Sequence, residues 1–228
     1  MIEIKKYPKL QNTEDVIEFC RCISTNLLGL TKLQKRAADD VKFWDLDRNL
    51  LIQATAGTGK TLLTLFALMA NEPDKRKMLY LVPYRALMNE KYMQFHEYFG
   101  NETIIYRSSS DYYEDDTEIF EGDCDIAVVI YEKLESYLRF NGGSSNLFNT
   151  YNLLVFDELS ILTTLNRGLR VFYIMKTYME CLSKSDKGEV ARIIGLTVPE
   201  CKLRSFKQFN FHYIVEKERN VTINEAIY

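Results

Sequence analysis

The chain has 228 residues, a formal net charge of −3, 46% hydrophobic and 27% charged residues. This is enough chain for one domain with its own core, with a composition that excludes disorder as the default and a charge too small to attract nucleic acid without a local basic strip. Five scattered cysteines (Cys20, Cys22, Cys124, Cys181, Cys201) read as reduced thiols of a cytoplasmic protein, and two histidines (His96, His212) are too few for a His-rich metal site. Met1–Leu10 has no apolar signal core and no run reaches membrane-spanning length, so no membrane partner is expected.

In chain order, Met1–Leu10 is a polar lead-in, and Thr13-Glu14-Asp15 starts a helix. Its Val16, Ile17, Phe19, Cys20, Ile23 and Leu27 share one face, and it ends near Gly29. A second helix is predicted over Lys32–Trp44, with Leu33, Ala37, Val41 and Trp44 spaced for burial. Strand-like runs then follow at Leu50–Gln53, Met78–Val82, Thr103–Tyr106, Ile126–Ile130, Leu153–Phe156 and Arg192–Leu196. Between them lie helical stretches at Lys60–Ala70, Arg85–Phe99, Glu132–Phe140 and Arg170–Ser183. Strands that are nearly all apolar are covered on both faces, and strand–helix alternation gives a parallel α/β sheet flanked by helices. Ser108–Asp116 is acidic and polar, and Asn141–Asn146 is a loop by composition. Beyond Glu200, Phe206 and Phe209 precede an alternating Phe211, Tyr213, Val215, which reads as one more strand before a polar end at Glu216–Asn220 and a short apolar finish.

The most informative stretch is Asn49–Thr61, NLLIQATAGTGKT: an apolar strand, a small-residue turn and a helix start. Gly57 and Gly59 allow backbone torsions and close approach that a side chain would block. The backbone from Ala56 through Gly57, Thr58 and Gly59 can then cradle phosphate at the positive end of the helix dipole. Lys60 reaches the outer phosphates and the Thr61 hydroxyl sits on Mg²⁺. Ala54 stands where the strict pattern has Gly, so the loop is a variant.

A second anchor is Leu153–Glu158, LLVFDE, where an apolar strand delivers two carboxylates to the edge at which open α/β sheets bind ligands. Asp157 is placed to hold Mg²⁺ and Glu158 to orient or deprotonate an attacking water. Taken alone, the pair could simply cap a following helix; with the phosphate loop it points to nucleotide hydrolysis.

With these residues in hand, the chain resembles the superfamily two DEAD/DExH-box helicases, nearest their superkiller-like group. Asp157-Glu158-Leu159-Ser160 resembles the acidic box, and Gln34 in LQKRA the glutamine that reads adenine. Leu81–Leu87 with Asn89-Glu90-Lys91-Tyr92 resembles the first nucleic-acid-contacting motif, and Tyr131-Glu132-Lys133 a second motif touching the strand backbone. Asn166-Arg167-Gly168 resembles an Arg-Gly pair, and Ile193–Glu200 the coupling motif. The resemblance implies a RecA-like ATP-binding domain over 31–228 behind an N-terminal helical extension at 1–30. It implies ATP and Mg²⁺ as ligands and DNA or RNA held along its backbone by Arg85 and Lys133, with Asn89 and Arg167 as weaker candidates. Coupling falls to Ser160 and Thr197.

Several departures limit this expectation. Ser160 replaces the usual His or Asp, the coupling motif is two residues short between Leu196 and Thr197, and Ile130 stands where a hydroxyl residue is expected. No Gln-x-x-Gly-Arg-x-x-Arg-like string precedes Tyr228, so the second helicase lobe and its arginines are expected from elsewhere, and the chain reads as one domain of a longer protein. ATP turnover by this chain alone is therefore expected to be slow. Two other readings share the same anchors: a translocase that does not separate strands, and a nucleotide-binding interaction module without motor activity.

Overall fold

The computed structural model describes residues 3–23, 29–141, 146–184, 191–201 and 209–217. Leu27, loop residues 142–145, Phe206 and the chain beyond Lys217 lie outside them. Two helices, α1 (Thr13–Ile23) and α2 (Lys32–Ala38), precede β1 (Leu50–Ala54), α3 (Lys60–Met69), β2 (Met78–Val82) and α4 (Arg85–Phe99). Then come β3 (Ile105–Ser108), α5 (Asp116–Glu121), β4 (Ile126–Ile130), α6 (Tyr131–Phe140), α7 (Asn146–Thr150) and β5 (Leu153–Phe156). A 3-10 turn at Leu159–Thr163, α8 (Leu165–Leu182), β6 (Arg192–Thr197) and β7 (His212–Glu216) complete the described elements.

The sheet has seven strands in the order β3-β4-β2-β5-β6-β1-β7, and every pairing is parallel. Alternate residues of each apolar run serve two separate cores, because successive side chains leave a strand on opposite faces. Leu50 and Ile52 of β1 with Tyr80 and Val82 of β2 join α1, α2, α3 and α4 on one face. Leu51, Leu79, Leu81, Leu154 and Phe156 join α5, α6, α7 and α8 on the other. The expected α/β architecture is therefore present, with its helices divided four and four. Among the described residues no helix is long and apolar enough to cross a membrane.

The predicted second helix stops at Ala38 instead of reaching Trp44. Asp39 closes it, and the Asp40 carboxylate accepts from Lys42 N at 2.9 Å, capping a new 3-10 turn over Val41–Phe43. The break turns Val41 outward, 84% exposed, and buries Phe43 in its place. Two short helices were not legible in the pattern: α5, at the end of the acidic stretch, and α7.

The first residues are bound tightly to the domain. Ile4, Leu10, Val16 and Phe19 belong to the same core as β1 and α3. Arg76, fully buried, donates all its N–H groups to main-chain carbonyls: Ile4, Tyr7 and Pro8 of the lead-in, and Met69 and Asn71 at the end of α3. Burial pushes its guanidinium down to about 10, against the opposing charge of Glu72.

Candidate nucleotide site and basic rim

Because all the strands run the same way, the segments that follow β1, β2, β4, β5 and β6 meet at one edge of the sheet. The loop after β1 carries Gly57 and Gly59 at φ of 75° and 84°, a left-handed backbone that favours glycine. A Cβ on Gly59 would lie 2.1 Å from Gln34 Nε2. Gln34 is buried beneath this loop: its carbonyl oxygen accepts from Thr31 N at 2.9 Å, and its amide donates to Gly59 O at 3.3 Å. One amide hydrogen and one oxygen lone pair lie outside these two bonds. Thr31 also donates to Thr58 O at 2.8 Å, so α2 supports the loop at two points.

Lys60 folds back, its ammonium donating to Ala54 O at 2.6 Å and Thr55 O at 2.9 Å. Burial lowers its pKa, opposed by the nearby charges of Glu158 and Asp157. With three N–H donors, one lies outside these two bonds. The loop lysine and the acidic pair, distant in sequence, are thus within electrostatic reach of each other.

Asp157, 6% exposed, is fixed from three sides. Tyr80 donates to its Oδ2 at 2.7 Å, Glu158 N donates to its Oδ1 at 2.8 Å, and Tyr131 donates to its main-chain oxygen at 2.6 Å. Burial raises the Asp157 pKa, opposed by the Tyr80 hydrogen bond and by the charge of Lys91. Glu158 sits at φ 53°, an uncommon conformation for a non-glycine residue and one that concentrates at functional sites.

The two expected coupling residues are not brought together by a hydrogen bond. Ser160 Oγ turns back to Glu158 Oε2 at 3.3 Å. Thr197 ends β6, the strand between β5 and β1, and its buried hydroxyl has no partner among the described residues.

The basic candidates gather beside this site. Arg85, Lys133 and Arg167 line one cleft of about 650 Å³ with Tyr84, Ile130 and Glu132. Arg85 pairs with Asp111 and Ser110, Lys133 with Asp116, and Arg167 with Glu132 at 3.8 Å while lying 4.8 Å over the Tyr84 ring. A Cβ on Gly168 would meet Leu162 O at 2.7 Å, so the Arg-Gly pair lets α8 start close against the 3-10 turn. Asn89 lies apart from the cleft lining and accepts from Arg107 at 2.7 Å.

Tyr80, Tyr131 and Lys91 are neighbours of the acid; sequence reasoning gave Tyr80 no role and placed Tyr131 and Lys91 only in the strand-contacting motifs. Tyr80 carries a polar tip inside a strand buried on both faces, and such a hydroxyl needs a partner. Lys91 shares the buried face of α4 with Met88 and Phe95, where a charge is costly unless paired; it holds Glu90 at 2.9 Å.

The family model for DEAD/DEAH box helicases matches residues 31–197. This chain belongs to that family. The matched region contains the phosphate loop, the acidic box and the rim, which identifies the chain as a superfamily two helicase's RecA-like N-terminal lobe. Curated relatives include the ATP-dependent DNA helicase Hel308 of Methanocella arvoryzae, 31% identical over 61% of this chain, and that of Pyrobaculum calidifontis, 32% identical over 69%. Hel308 of Thermococcus kodakarensis is 30% identical over 64% of the chain. The matches cover 19%, 23% and 13% of these relatives, so the chain spans well under a third of their length.

Proposed function

We propose that this chain is the ATP-binding lobe of a helicase that couples ATP hydrolysis to unwinding of nucleic acid, DNA being favoured by the names of its relatives. The observation that carries the reading is the convergence of Lys60 and the Asp157-Glu158 pair at one sheet edge beside a basic cleft. The lobe spans 31–228, behind an N-terminal helical extension at 1–30, and works in the cytoplasm.

The donor set fits Mg²⁺ and a nucleotide. A hydroxyl and a carboxylate, Thr61 and Asp157, lie at the same sheet edge, a pairing of oxygen ligands that suits a hard cation. Thr197 adds a buried hydroxyl without a partner among the described residues. Thr61 and Asp157 would hold the metal, which supplies charge neutralisation at the phosphates. Ala56, Gly57, Thr58 and Gly59 offer backbone N–H groups, Lys60 offers its ammonium, and Gln34 offers its spare amide hydrogen to the base. Glu158 takes the proton of the attacking water. Arg85 and Lys133 grip the strand backbone, exchanging Asp111 and Asp116 for phosphates; Ser160 and Thr197 pass the nucleotide state toward that rim. A second helicase lobe supplies the arginines that complete the site, so this chain alone turns ATP over slowly.

The test is nucleotide binding and strand-stimulated turnover by wild type, Lys60→Ala and Glu158→Gln. Binding is expected in wild type, loss of it in Lys60→Ala, and binding without turnover in Glu158→Gln. Equal nucleotide affinity in wild type and Lys60→Ala would remove the reading.

A further inference from the structure

The strands that deliver the phosphate loop and the acidic box do not pair directly. Thr61 lies in the first turn of α3 after β1, Asp157 follows β5, and β6 lies between the two strands. The acid is held from β2, on the far side of β5. Tyr80 pairs in register with Val155, is fully buried, and has its ring set edge-on against Phe95 with centroids 5.3 Å apart. From this seat its hydroxyl donates to Asp157 Oδ2 at 2.7 Å.

We propose that Tyr80 is a positioning residue for the metal end of the nucleotide site, fixing the Asp157 carboxylate at the sheet edge that also carries Thr61. The inference rests on the nucleotide reading above. A buried tyrosine needs a partner for its hydroxyl; here that partner is the carboxylate suited to a hard cation, and the packing of the ring fixes the direction from which it is held. Carboxylate oxygens offer about four acceptor sites, and Tyr80 and Glu158 N take two of those on Asp157, leaving room for a cation. Tyr131, on the main-chain oxygen, keeps the acid from swinging as its side chain changes partners.

Tyr80→Phe keeps the ring and removes the hydrogen bond to Asp157. A fluorescent ATP analogue titrated in Mg²⁺ and in EDTA, on wild type and variant, reads the difference, with an unfolding curve to confirm that both are folded. The expected result is a loss of about tenfold in Mg²⁺-dependent affinity, the size found when outer partners of metal ligands are removed, with affinity in EDTA unchanged. Phe95→Leu, which loosens the ring and keeps the hydroxyl, gives a smaller loss of the same metal-selective kind. A loss equal with and without Mg²⁺, or no loss in Tyr80→Phe, overturns the inference while leaving the nucleotide reading standing. Wild type without any Mg²⁺-dependent binding overturns both.

Discussion

At the nucleotide end, Asp157 is buried and held by hydrogen bonds from Tyr80, Glu158 and Tyr131. At the rim a few residues away, Arg85 and Asp111 pair with both side chains about half exposed. The first region is preorganised: its geometry is fixed, and a charge is kept out of water at a cost in stability. The second is provisional, because exposed pairs contribute little and are screened by salt, so its cations can exchange a carboxylate for a phosphate. One sheet edge therefore carries a rigid site and an exchangeable one.

The largest effect that would sharpen this contrast comes from Gly59→Ala. The left-handed backbone and the 2.1 Å approach to Gln34 leave no room for a methyl group, so stability is expected to fall by about 1–3 kcal/mol. Nucleotide binding should be lost with it, as denaturant unfolding and nucleotide titration would show. At the rim, Arg85→Ala should change unfolding free energy by no more than about 0.5 kcal/mol. It should weaken strand binding evenly across sequences and reduce the salt slope by about one. A large stability loss there would break the comparison.

Asp157→Asn should act in the opposite sense, raising stability at neutral pH by about 1 kcal/mol while abolishing turnover. Burial places the folded pKa of Asp157 above its unfolded value. Stability from this group is thus present below the unfolded pKa and lost as pH rises through the folded one, and the amide removes that loss. Thermal unfolding across pH should show the gain shrinking toward acid. The smallest effect is that of Asp111→Asn, which frees Arg85 and should tighten strand binding about two- to threefold at low salt, with no difference at high salt.

The exposed, sequence-local parts of this design were legible and the long-range ones were not. The sheet could be read because its strands are continuous apolar runs, and β2, β4 and β5 have the expected limits. Strand β3 starts two residues late, since Ile104 is already engaged by its neighbour Asp125. The rim cations were legible as motif residues, yet their partners were not, because Lys133–Asp116 joins α6 to a helix too short to leave a periodic trace. Tyr80 was hidden for a different reason: an apolar run announces burial, but says nothing about where a buried hydroxyl points.

Arg76 has a consequence for where this lobe can be divided. Its fork is filled by carbonyls on both sides of residue 31, the position at which family similarity begins. Trimming the chain to its recognisable part would strand a cation in the interior, at the far end of the helix that opens with Lys60. The unit that evolution labels and the unit that folds are not the same length, and a screen of shortened variants should keep the first dozen residues even though no motif lies in them.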